Sequence, residues 1–402
     1  MSNWPTSSAH HRWLDQHTRD LLAFGRRTTD PEGGARWLDG AGRIEPGRPV
    51  STLISSRMAH VYGIGALLGV PGSAPIARQA LRGLTGRLRD PEHGGWFPAA
   101  DDHTVKACYD HAFVLLAAAT TTQAGVPGAA DLLAEAERVF LHRFWDEDAG
   151  RCADSWDAGF TTLDGYRGIN GNMHAVEAML TTAGVTGDRQ WLTRANRVCR
   201  FVADTAAAHD WRIPEHYDES WRPLPEFHRD QPDHPFKPYG ATVGHGLEWS
   251  RLFLHAEAAQ PPGSAPWLAE AATALFDRAV ADGWAVDGND GFVYTTDWSG
   301  SPVVRDRMHW VATEAISAAA AMHRRFGTAQ YADWYRAWWD YSATYLLDHE
   351  RGSWFHQLNA ENVPTESVWP GKPDLYHALQ ATLTARLPLY PMLAPAVAAG
   401  LD

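Results

Sequence analysis

The sequence predicts an all-α fold: an (α/α)6 barrel, or toroid, with short β-hairpins in the loops at one end. Three observations carry that reading. Twelve helix-like segments alternate between apolar on most sides and apolar along one stripe. The linkers repeat an Asp-x-x-x-Gly turn followed by aromatic or β-branched residues. A histidine recurs near the start of even-numbered segments, at His174, His245, His309 and His377, with intervals of 71, 64 and 68 residues. A near-fixed period of this kind marks one repeated supersecondary unit whose copies share a core.

The candidate helices run over about 9–26, 51–69, 74–88, 104–122, 127–144, 170–185, 188–206, 240–258, 265–281, 307–325, 328–347 and 373–389. They form six pairs if the first is paired with the second. Even-numbered segments, such as Ala241 to Ala258, are apolar nearly all round and should be buried. Odd-numbered ones, such as Trp267 to Ala281, carry an i, i+3, i+4, i+7 stripe with charges opposite and should lie outside. The outer segments end in turns such as Asp90 to Gly94, Asp146 to Gly150, Asp287 to Gly291 and Asp348 to Gly352. Glycine supplies the positive φ of such a turn, and the short runs after it read as hairpin fragments. A unit of helix, turn, hairpin and inner helix, repeated about six times, closes into a ring. The inner-helix N-termini and the loops before them then converge on one end as a funnel. The longest insert, about 207–239, is rich in Pro, His, Trp and Asp and is too long for a plain linker, so a functional rim or lid is expected there. No domain boundary is visible, and 1–402 reads as a single catalytic domain.

Composition narrows the function. Hydrophobic residues make up 45% and charged residues 21% of the 402, a globular balance with material for a large core. The net charge is −13 and no block of Lys and Arg stands out, which argues against nucleic acid or an anionic membrane as a partner. No apolar run reaches the roughly 18 residues that a span requires. Cys108, Cys152 and Cys199 are scattered without a Cys-x-x-Cys, so reduced thiols in a cytoplasmic protein are expected, with no zinc site. The first residues lack the basic and apolar regions of a signal peptide. There is no phosphate-binding glycine loop in a strand–helix context and no Gly-x-Ser-x-Gly elbow.

Three of the histidines stand three residues ahead of Glu or Gln: His174 with Glu177, His245 with Glu248, His377 with Gln380. His309-Trp310 with Glu314 has the same flavour. Residues three apart share a helix face, and a carboxylate beside an imidazole suits proton transfer. Taken singly, each histidine is a satisfied core residue. Four at equivalent repeat positions point instead to a shared centre. Metal ligation is the rival reading, but no His-x3-His spacing supports it. Arg57 opens the second helix among apolar neighbours and needs an anionic or polar partner. Asn170 reads as a helix N-cap on the side of His174. Nineteen tryptophans are mostly packing, yet a few at a funnel mouth, Trp249, Trp310 and Trp369 among the candidates, would offer flat platforms to a sugar.

At this point a resemblance enters. Gly171-Asn172-Met173-His174-Ala175-Val176-Glu177-Ala178, Gly244-His245-Gly246-Leu247-Glu248-Trp249 and Gly371-Lys372-Pro373-Asp374-Leu375-Tyr376-His377 resemble motifs of the N-acylglucosamine 2-epimerase superfamily. The likeness runs from Arg57 to His377, and the last motif looks closer to its aldose–ketose isomerase branch than to its epimerases. The resemblance implies an (α/α)6 barrel that needs neither metal nor nicotinamide. It implies that His245 with Glu248 and His377 form an acid–base pair across the sugar. It also implies that Arg57, Tyr109, Asn170, His174, Trp310, Glu314 and Trp369 bind or line the substrate site. The epimerases tend to carry paired aromatics where this chain has His309-Trp310, which favours a monosaccharide over a disaccharide. The expectation is therefore a metal- and cofactor-free isomerase, monomer or homodimer, turning D-mannose into D-fructose through a cis-enediolate, with D-lyxose as a side substrate. A 2-epimerase or a sulfoquinovose isomerase of the same family is the alternative; a sulfonate would call on cations such as Lys237, Lys372 or Arg229. From other classes, a glycoside hydrolase would need two flanking carboxylates, for which Asp110, Asp218, Glu248 and Glu314 are candidates. A non-catalytic sugar-binding protein would bind without exchanging the C2 proton.

Overall fold

The computed structural model describes residues 3–401. Twelve helices alternate between an inner and an outer ring. The inner ring comprises α2 (Thr52–Leu67), α4 (Cys108–Gln123), α6 (Ile169–Thr186), α8 (Val243–Ala258), α10 (His309–Phe326) and α12 (Tyr376–Thr384). The outer ring comprises α1 (Ser8–Phe24), α3 (Ser73–Thr85), α5 (Ala129–Val139), α7 (Gln190–Ala208), α9 (Pro266–Gly283) and α11 (Ala329–Tyr341). Each inner helix packs on the next, and α12 returns to α2, so the ring closes as an (α/α)6 barrel. The division follows from composition. Every residue of α12 is buried, whereas α7 buries one stripe that includes Trp191, Ala195, Val198 and Val202. Fully burying a large apolar side chain stabilises by about 1.5–3 kcal/mol, so six helices apolar all round are most stable at the centre.

Two details differ from the sequence reading. Helix α1 packs mainly on α12, not on α2. The Thr18 and Thr382 hydroxyls meet at 2.7 Å in that seam. The ring is thus sealed by its first and last long helices. The last inner helix is also shorter than expected, because Pro388 and Pro391 disfavour helix in the residues before them. The chain then forms an unforeseen α13 (Leu393–Ala398), which crosses α2, α4 and α6. Pro395 meets Gly184 near the C-terminal end of α6, so α13 plugs the end of the ring away from the funnel.

The hairpins form a collar at the N-terminal ends of the inner helices. Residues just before one inner helix pair antiparallel with the following repeat: 105–107 with 155–157, 167–168 with 216–217, 241–242 with 295–296, and 307–308 with 357–358. Three of the four Asp-x-x-x-Gly turns are held by cations placed later in the chain. Lys106 Nζ lies 2.6 Å from Asp90 Oδ2 and donates to the Gly94 carbonyl at 2.7 Å. Lys372 repeats this on Asp348 and Gly352 at 2.7 and 2.6 Å, and Arg307 grips Asp287 at 2.7 Å. These pairs lock those three turns to the strand or loop that leads into an inner helix.

Candidate active site

The collar surrounds a cavity at the N-terminal ends of the inner helices. Each helix start contributes. His174 comes from α6, His245 and Glu248 from α8, His309 and Trp310 from α10, His377 from α12, Arg57 from α2 and Tyr109 from α4. Asn170, Trp369 and the insert's Pro235, Phe236 and Pro238 complete the wall. Of the ten residues that the resemblance placed in the acid–base pair or the substrate site, only Glu314 lies outside it, directly behind His377. The insert 207–239 forms part of the rim. His216 and His228 hold the carbonyls of Pro238 and Lys237 at 2.8 and 2.7 Å, and the Phe236 ring sits edge-on to Tyr109 and Trp369.

His245 and His377 face this one compartment with Trp310 packed against both, ring centres 5.2 and 5.8 Å away. Gly244 makes that placement possible: a Cβ there would come within 2.4 Å of the Trp310 ring. Each imidazole has a carboxylate on Nδ1. His377 Nδ1 is 3.0 Å from Glu314 Oε1, and Arg251 Nε donates to Glu314 Oε2 at 2.9 Å. His245 Nδ1 is 2.9 Å from Glu215 Oε1. An ionised carboxylate only accepts, so the proton sits on Nδ1 and Nε2 is left for the cavity. Burial, reinforced by the Arg57 charge, pushes the His377 pKa well below its ordinary value and keeps the ring neutral.

The carboxylate beside His245 is therefore Glu215 of the insert, not Glu248. Glu248 points inward from the next helical turn, toward His174 Nδ1 and Arg251 Nη2, each 3.8 Å from its Oε1. Neither of its oxygens has a hydrogen-bond partner. Burial raises the Glu248 pKa well above the usual carboxyl range, and the charge of Glu314 adds to this. Two carboxylates share one guanidinium, and Glu314 holds the hydrogen bonds, so the extra proton belongs to Glu248. The third face-sharing pair also departs from expectation. Gln380 does not orient His377; it donates to Glu177 at 2.9 Å.

Arg57 is the cation of the site. It donates to Asp374 Oδ2 and to the Tyr109 hydroxyl, both at 3.0 Å, and lies between the Phe113 and Tyr376 rings. Burial opposes ionisation of Asp374, but Arg57 outweighs it and holds the carboxylate below its ordinary range. His174 Nδ1 is 3.7 Å from Glu177, and burial takes its pKa down to about 4 against that carboxylate's pull. His309 stacks on His356 at 3.8 Å, and burial lowers it to about 4 as well. Asn170 is not a cap. Asn172 instead ties the helix start to the preceding hairpin, with bonds of 2.8–3.0 Å to Cys152 and Gly168, while the Asn170 side-chain carbonyl is left without a partner. Glu215, His356, Asp374 and Phe236 escaped the sequence reading; only the unusual length of the insert hinted at the first and last.

The arrangement tests the rival chemistries. His174, Glu177 and Glu248 bring ligand-type atoms within 4.8 Å of one another. The Tyr376 hydroxyl and Gln380 already donate to Glu177, however, and Arg251 stands beside Glu248, so the set suits a shared proton better than a divalent cation. Lys237 lies 3.7 Å from Asp154, Lys372 is buried on Asp348, and Arg229 pairs with Glu226 on the surface; none lines the cavity. Asp110 and Asp218 lie outside it too, and Asp374 is committed to Arg57. Among the described residues, the cavity wall offers no free pair of carboxylates to flank a glycosidic bond.

Fold and site together define an (α/α)6 barrel whose funnel holds two carboxylate-backed imidazoles. The chain belongs to the N-acylglucosamine 2-epimerase (GlcNAc 2-epimerase) family, whose profile matches residues 33–381. It is 50% identical to a D-mannose isomerase of Thermobifida fusca, over 99% of both chains. It is 45% identical to a D-mannose isomerase of Pseudomonas cannabina pv. alisalensis, over 100% of this chain and 98% of the relative. Among solved structures, a D-mannose isomerase crystal structure superposes with a TM-score of 0.87 over 93% of this chain and 97% of the other, at 24% identity, a likeness of fold. Among the described residues no helix is long and apolar enough to cross a membrane.

Proposed function

We propose that this protein is an aldose–ketose isomerase that converts D-mannose to D-fructose, with D-lyxose to D-xylulose as a side activity. The observation that carries the reading is the pair of imidazoles, each with its Nδ1 on a buried carboxylate, facing one cavity that also holds Arg57. The relatives at 45–50% identity, both D-mannose isomerases, support the choice of sugar. The absence of an uncommitted cation on the wall favours an uncharged hexose over a sulfonated one.

In this mechanism His245 assists ring opening by proton exchange with the sugar oxygens. His377 Nε2 then takes the C2 proton while O1 gains one, giving the cis-enediol(ate). Arg57 and His174 stabilise the charge that develops on the oxygens. His377 returns its proton to C1 on the same face, the O2 hydroxyl proton leaves, and the C2 carbonyl forms. A neutral imidazole is suited to both transfers near neutral pH. The roles of Tyr109, Asn170, Trp310 and Trp369 are to shape the wall around the sugar, and that of Glu314 is to hold His377.

The test is incubation of purified, EDTA-treated protein with D-mannose in D₂O. Fructose carrying deuterium supports the reading. Glucose as first product would make the protein a 2-epimerase, and an unchanged sugar would remove both.

A further inference from the structure

The two carboxylates behind the two imidazoles are not alike. Glu314 is a helix residue clamped by Arg251 at 2.9 Å, so a fixed cation balances its charge. Glu215 comes from the 207–239 insert. Its backbone carbonyl accepts the Ile169 N–H at 3.1 Å, which ties it to the entry of α6. Its side chain is 3% exposed and that of His245 is 9% exposed. Among the described residues no lysine or arginine pairs with Glu215; its one charged-type partner is His245 Nδ1 at 2.9 Å. A buried carboxylate without a cation is costly to keep and is retained where it serves a function.

We propose that Glu215 is the positioning residue that fits His245 to carry protons between the sugar oxygens. As an acceptor only, it fixes the proton on Nδ1 and turns the Nε2 lone pair to the cavity. When Nε2 gains a proton, Glu215 becomes the counter-ion of the imidazolium. Glu314 does this less well for His377, because Arg251 already draws on its charge. The asymmetry assigns His245 to the oxygen-to-oxygen proton traffic and leaves His377 to work from its neutral form. The proposal rests on the isomerase reading for its kinetic consequence, though not for its tautomer.

The experiment compares wild type with Glu215→Gln and Glu215→Asp. The glutamine amide keeps the shape but can donate to Nδ1, which inverts the tautomer. Glu215→Gln is expected to lower kcat about 10²–10⁴-fold, as when the acid that orients a catalytic histidine becomes its amide, with KM within about threefold. Glu215→Asp, which keeps an acceptor, should recover part of the loss. ¹⁵N chemical shifts of the His245 ring, assigned by its absence in His245→Asn, should move from an Nδ1–H to an Nε2–H pattern in Glu215→Gln. The folded state, followed by melting, should be retained, since the variant removes an unbalanced buried charge. A kcat within about threefold of wild type, or an unchanged tautomer, would overturn the proposal. The tautomer readout needs no turnover, so it judges Glu215 even if wild type makes no fructose. Fructose from wild type with an unimpaired Glu215→Gln would sink Glu215 and leave the isomerase reading standing.

Discussion

Mild acid should destabilise this protein through its buried imidazoles. Four deeply buried histidines, His60, His174, His255 and His309, are each lowered to about 4, chiefly by burial. Their folded pKa lies below the unfolded 6.5, so the unfolded chain binds more protons between those values. Stability is whole above about pH 6.5 and drains as the pH falls toward about 4. Going from about pH 8 to about pH 5, each group favours unfolding by about 2 kcal/mol, or about 8 kcal/mol for four acting independently. Asp110 works the other way. Burial raises its carboxyl to about 7, so the folded state holds a proton that the unfolded chain releases, which returns about 3 kcal/mol over the same interval. For these five groups the net loss is about 5 kcal/mol; His17, His111, His356 and His377 are lowered by burial in the same direction, and Glu248 is raised in the opposite one. With an unfolding entropy of about 2.1 cal/mol/K per residue, the share of these five groups alone lowers the melting temperature by about 6 °C between pH 8 and pH 5. Calorimetry across that range is the assay. A melting temperature that is flat, or that rises toward pH 5, would refute the claim that these imidazoles are buried neutral.

Three further outcomes are expected. His377→Asn should cut kcat at least about 10²-fold with an unchanged circular dichroism spectrum; normal turnover would remove His377 from the chemistry. Lys372→Met leaves Asp348 buried without its cation and should destabilise by about 3–5 kcal/mol in urea unfolding, with Lys106→Met doing the same to Asp90; a change under about 1 kcal/mol would show these turns are held by something else. Glu248→Gln should leave stability at neutral pH unchanged or higher, because it replaces a protonated carboxyl with a neutral isostere; a loss above about 3 kcal/mol would mean that Glu248 is ionised and paired.

The fold was legible because periodicity is written into composition. Segments apolar all round had to be inner helices, and the glycine turns marked where each outer helix stops. The placement of histidines at equivalent repeat positions followed from the same period. The choice of hydrogen-bond partner was not legible. Glu248 shares a helix face with His245, yet both lie inside a ring where every direction is occupied, and the imidazole turns to a carboxylate 30 residues upstream. Likewise, Asn170 and Asn172 are indistinguishable as text. Only the position of the Cys152 backbone decides which of them braces the helix start. The partnership of α1 with α12 joins segments more than 350 residues apart, beyond anything a local pattern reports.

That seam bears on how the molecule assembles. The barrel cannot be completed until the chain's first long helix finds its last inner one, so the defining contact is among the most non-local in the protein. Until then the apolar flank of α12 stays uncovered by α1. Folding should be slow for a helical protein, and an incompletely assembled chain should be prone to self-association through that gap. A loss of the α1 segment would be felt at the seam, far in sequence from the residues it exposes.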